Sequence, residues 1–124
     1  MQFIQQTNPN RGVTQIDALS VKIGDQLFTT SFWADSEGAG NFDAALVAEL
    51  TLAQVDEIAA RTPDVVLLGT GSRIEFPSSQ WRAAFLSRRI GIEVMDLPAA
   101  ARTFNVLLGE QRRVLLLALL PRTA

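Results

Sequence analysis

The sequence predicts an α/β domain with a buried sheet. From residue 51 onward, helical periodicity alternates with short apolar runs in the order helix, strand, helix, strand, helix, strand, whereas the residues before that read as antiparallel strands joined by turns. The antiparallel portion is expected to extend the sheet or to pack against it. At 124 residues the chain is expected to form one domain over 1–124, with 1–12 a loosely ordered lead-in. A chain of this length buries roughly two-thirds of its unfolded surface, enough for a core without disulfides.

Each element has its own signal. Val21 to Ile23, then Gly24-Asp25, then Gln26 to Trp33 reads as a hairpin, because Gly at the first central position suits a two-residue type II′ turn. Asp35 to Asn41 is polar and Gly-rich, and reads as a loop. Ala44 to Leu50 fits strand or helix equally. Thr51 followed by Gln54 is a capping-box pattern, with Leu52, Val55, Ile58 and Ala59 on one apolar face and Thr62-Pro63 as the stop. Val65 to Leu68 is a continuous apolar run between Pro63 and Gly69, the pattern of a strand buried on both faces. A helix from about Ser78 to Arg89 follows, with Gly91 as its stop and Trp81 and Phe85 as core residues, then a strand over Ile92 to Met95. Pro98 suits the first turn of a helix whose stripe is Ala101, Phe104 and Leu108 and which Gly109 ends. Arg113 to Leu120 is the last strand.

Composition excludes much chemistry. With no Cys and no His, the chain has no thiol nucleophile, no Ser-His-Asp triad, and none of the imidazole or thiolate ligands that zinc and iron–sulfur sites require. No cofactor and no catalytic set is expected. Residues 1–60 carry two basic and eight acidic side chains, a net of −6, while residues 61–124 carry nine Arg and five acidic side chains, a net of +4. Arg without Lys in the second half suits planar recognition of carboxylate or phosphate, but Arg codon preference in a GC-rich genome is the weightier reading. Nucleic acid is disfavoured as a partner because the domain as a whole is acidic, with a pI near 5.0. The first ten residues lack the basic and apolar regions of a secretory signal, and the longest apolar run, Val114 to Leu120, is far short of the ~20 residues that span a bilayer. A cytoplasmic protein that does not span a membrane is expected.

One loop could bind a ligand. Ligands in α/β sheets bind beyond the carboxyl ends of parallel strands, and two such ends are readable, one at Gly69-Thr70-Gly71-Ser72-Arg73 and one at Asp96. Right-handed crossovers place both on one edge. Glycines admit a ligand to the backbone, Thr70 and Ser72 add hydroxyls, Arg73 adds a planar cation, and the following helix adds its N-terminus, a set that suits a small anion. The motif lacks the third Gly of a dinucleotide fingerprint and the Gly-Lys-Ser/Thr of a P-loop, and the same residues would serve a tight turn. Asn105, uncomfortable inside a helix, is expected to bond across to a neighbouring segment.

Leu67 to Arg73, Gly91 to Asp96, Ala100 to Leu107 and the closing Val114 to Pro121 together resemble the family of small proteins that includes mitochondrial respiratory complex I assembly factor 3. The resemblance covers about residues 14–121, and its most specific feature is the Gly-Thr-Gly-x-Arg and Thr-Phe-Asn pair in this order. It implies a three-layer α/β domain with a central mixed sheet and no established catalysis. The candidate anion site comprises Gly69, Thr70, Gly71, Ser72, Arg73, Asp96, Arg102 and Asn105. Ala101 stands where the family often has Cys, so no thiol role carries over. The leading expectation is therefore a non-catalytic module that binds a protein partner or assists assembly, and the alternative is an enzyme or sensor taking a small anion at the Gly69–Arg73 loop.

Overall fold

The computed structural model describes residues 12–122. The elements are β1 (Val13–Ile16), β2 (Val21–Ile23), β3 (Gln26–Phe28), β4 (Phe32–Ala34), β5 (Ala39–Asn41), a single 3-10 turn (Val47–Glu49), α1 (Leu52–Ala59), β6 (Val65–Gly69), α2 (Ser79–Leu86), β7 (Gly91–Met95), α3 (Leu97–Gly109) and β8 (Val114–Ala118). Five strands form a mixed sheet in the order β5-β4-β8-β6-β7, with β8, β6 and β7 parallel and β4 and β5 antiparallel. β1, β2 and β3 form a separate antiparallel sheet. The antiparallel half thus does both things expected of it, adding β4 and β5 to the central sheet and packing β1–β3 beside it. The proposed lead-in falls, apart from Gly12, outside the described residues.

The continuous apolar runs are explained by burial on two faces. In register, Leu67 pairs with Leu116 and Gly69 with Ala118, and these residues, with Phe32 and Ala34, face α3 and the three-stranded sheet. Their neighbours Val66, Leu68, Leu115 and Leu117 face α1 and α2, where Val55, Ile58, Trp81 and Phe85 complete the second core. The result is three layers.

Local signals account for most ends. Thr51 and Gln54 form the expected reciprocal cap, Ser78 caps α2 by accepting from Trp81 N–H, and Pro98 sits in the first turn of α3. Gly24 takes φ +57° in the turn between β2 and β3.

Five expectations change. Gln26 to Trp33 is not one strand: buried Ser31 accepts from Leu120 N–H at 2.9 Å, bending the chain so that β4 leaves for the central sheet while Phe28 and Phe32 stay stacked 4.4 Å apart. The Asp35–Asn41 loop contains β5, since the Trp33 ring covers Gly40 across the strand pair and supplies the packing glycine lacks. Gly91 does not stop α2. It begins β7, and Arg89 takes the left-handed conformation at φ +61° instead. Gly109 lies inside α3, with Gln111 at φ +61° making the turn. The last strand starts at Val114 and not at Arg113, whose guanidinium bonds Thr62.

Candidate functional site

The loops after β6 and β7 meet, as the crossover rule requires. Thr70 N–H donates to Met95 O at 2.9 Å and Leu97 N–H to Gly71 O at 2.7 Å. The Thr70 hydroxyl donates to Arg73 O and accepts from Glu75 N–H, so it folds its own loop. Gly69 is needed because α3 crosses there: a Cβ would lie 2.9 Å from Leu97 Cδ1 and 3.2 Å from Leu97 Cα. Gly71 holds φ +92° over open space. At the start of α3 every first-turn donor is already engaged, with Leu97 N–H on Gly71, Ala99 N–H on the Asp96 carboxylate at 2.8 Å, Ala100 N–H on Asp96 O, and Pro98 having none. An anion at this loop would therefore rest on exposed Ser72 and Arg73, beside the Asp96 carboxylate.

The remaining two candidates stand apart. Arg102 and Asn105 follow Asp96 by six and nine residues, about 9 and 13 Å along the helix axis. The Asn105 amide accepts from Val13 N–H at 2.8 Å and donates to Val13 O at 3.0 Å, stitching β1 to α3. The expected bond across to another segment is present, and it is a tether.

The same strand ends border a cleft of about 630 Å³. Its walls are Ile16 at the end of β1 with Asp17 to Leu19 after it, Ala45 and Leu46 with Val47 at the start of the 3-10 turn, Thr70 to Ser72 with Glu75, Leu97 and Pro98 of α3, and Leu119 and Pro121 after β8. Most of these groups are apolar. A second cleft of about 580 Å³ shares Leu46, Val47 and Glu75 with the first and continues past Phe76 to Trp81. Leu19, Leu46 and Phe76 are 55%, 58% and 65% exposed, and Ile74 in the same loop is exposed as well. Leu19, Leu46 and Phe76 thus place large, solvent-exposed apolar side chains on the walls of the two clefts. A third depression, over Trp33 and Arg61, differs in character, since its cations are already paired, Arg61 with Asp35 and Arg122 with Glu49.

A family model described as protein of unknown function (DUF498/DUF598) matches residues 13–119. The chain belongs to the DUF498/DUF598 family. The human protein named NADH dehydrogenase (ubiquinone) 1 alpha subcomplex assembly factor 3 is 45% identical over 49 residues, which is 40% of this chain and 27% of that protein, so the match spans about a quarter of its length. An NMR structure of a Xanthomonas campestris protein is 37% identical, with a TM-score of 0.81 over 88% of this chain and 83% of that one. A Bordetella pertussis protein described as a Mth938-like domain has a TM-score of 0.79 at 23% identity over 96% and 92%, a likeness of fold. Among the described residues of this DUF498/DUF598 chain no helix is long and apolar enough to cross a membrane.

In the DUF498/DUF598 chain two carboxylates shape the cleft walls. Asp17 accepts from Leu19 and Ser20 N–H, bonds that hold its carboxyl below the usual range and fix the turn that presents Leu19. Glu49 is bound by Arg122 and by Ala45 and Leu46 N–H, which hold it at about 2 against an ordinary 4.5 and pin the segment carrying Leu46. A carboxyl depressed in the folded state adds stability above its unfolded value that disappears as pH falls through the folded one. Urea denaturation of Glu49→Gln is therefore expected to show a shallower loss of stability than wild type between pH 4.5 and about 2. Parallel losses in the two proteins would mean that the ionised clamp contributes nothing.

Sequence reasoning found the Thr70–Ser72 wall but missed the other walls. Ala44 to Leu50 has no period, and nothing local distinguishes an exposed Leu46 from a buried one. The Asp17-x-x-Ser20 turn was the available signal for Leu19.

Proposed function

We propose that the chain is a protein-interaction module of assembly-factor type that docks a partner at the cleft beyond the carboxyl ends of β6, β7 and β8. The observation that carries this reading is the ring of exposed Leu19, Leu46 and Phe76 around two joined clefts, apolar area whose removal from water favours association. The partial match to a protein named as an assembly factor supports it. So does a composition without Cys or His, which withholds the commonest nucleophile and acid/base groups.

The test is site-specific crosslinking in the host cell. A photoreactive amino acid at Leu46 is expected to trap a discrete partner, one at Val106, equally exposed at 58% on α3 but outside the cleft, is expected to trap none, and Leu19→Glu is expected to abolish the Leu46 product. Equal products from both positions, or none from Leu46, would overturn the assignment.

A further inference from the structure

The charge of the cleft narrows what it can hold. Among the described residues, its ionisable lining residues are Asp17 and Glu75, and no Arg or Lys joins them. Of the neighbouring cations, Arg82 lies over the Phe76 ring at 5.6 Å from its centroid, on the outer wall of the second cleft, Arg122 bonds Glu49, and Arg73 lines neither cleft. Neither carboxylate forms an ion pair within the described residues. Glu75 is shared by the two clefts and so stands between their apolar floors, while Asp17 stands on the far wall of the first.

We infer that the occupant is a peptide segment of another protein carrying two apolar anchor side chains with an Arg or Lys between them. The inference rests on the interaction reading above. One anchor enters the cleft between Leu19 and Leu46, and the other enters the cleft between Leu46 and Phe76. The cation then meets Glu75 where both clefts share it. Opposite charges across an interface steer association and fix register, while apolar anchors supply most of the affinity. An acidic segment is disfavoured, because it would bring like charge against Glu75 and Asp17.

The experiment is selection of random phage-displayed dodecapeptides on the full chain, repeated on Glu75→Lys. Wild type is expected to enrich apolar-basic-apolar sequences whose binding weakens with added salt and falls at least about tenfold on Leu46→Glu and on Glu75→Lys, whereas Glu75→Lys is expected to enrich acidic ones. Leu46 and Glu75 are both exposed, so the fold is expected to persist, and an unchanged amide NMR spectrum checks it. Leu19→Glu serves in place of Leu46→Glu, and Glu75→Gln in place of Glu75→Lys, should either fail this check, the Gln variant being expected to lose the preference for basic residues. Peptides that depend on Leu46 yet lack basic residues would overturn the charge assignment and leave the docking face standing. Enriched peptides indifferent to Leu46→Glu and Leu19→Glu, or no enrichment at all, would overturn both.

Discussion

Phe104→Ala is expected to cost about 3–5 kcal/mol, the range for removing a buried aromatic ring. Phe104 is fully buried on α3, in the core shared by the five-stranded sheet, with Leu67 and Leu116, and the three-stranded sheet, with Val21, Ile23 and Phe28. Two sheets and a helix converge on that ring, so no single element can move in to fill the void without leaving the others. A loss of this size is a large part of the stability of a small domain. Urea denaturation with an unchanged m-value would measure it, and a loss below about 1 kcal/mol would mean that the layers close over the cavity.

Gly69→Val is expected to be the next most damaging change, at about 3 kcal/mol, the upper part of the range for overpacking. Its Cβ alone would stand 2.9 Å from Leu97 Cδ1, 3.1 Å from Ala100 Cβ and 3.2 Å from Leu97 Cα, so α3 itself must shift, and β-branching adds two more methyl groups. Displacing the start of α3 also strains the Leu97-to-Gly71 bond at the cleft wall. Gly71→Val is the comparison. There a Cβ meets nothing within 4 Å, and the cost is that of holding a branched residue at φ +92°, about 1–2 kcal/mol. If Gly69→Val proved the milder of the two, close helix–strand approach would not be the reason for glycine at 69.

The pair shows how far local reading reaches. Both glycines stand out in the sequence as permissive backbone at a strand end, and the position of that strand end is correct. Their reasons differ, however, and only the packed helix separates them: Gly69 makes room for Leu97 and Ala100, whereas Gly71 supplies a backbone angle. Asn105 behaves similarly. Its discomfort inside a helix is legible, but its partner Val13 is 92 residues away.

Periodicity, caps and composition by themselves determined the α/β class, the order of elements from Thr51 to Leu120, the hairpin at Gly24, the two-faced burial of Val65 to Leu68, and the exclusion of Cys and His chemistry. These depend on neighbours within a few residues, where steric and hydrogen-bonding preferences act directly. Tertiary structure alone decided the rest. It split Gln26 to Trp33 between two sheets through Ser31 and Leu120, gave Gly40 a strand partner in Trp33, and moved two helix stops from Gly91 and Gly109 to Arg89 and Gln111. It also brought Leu19, Leu46 and Gly71 to one cleft from three distant stretches of chain. Exposure of an apolar side chain is set by what the remaining layers cover, and no residue carries that information alone.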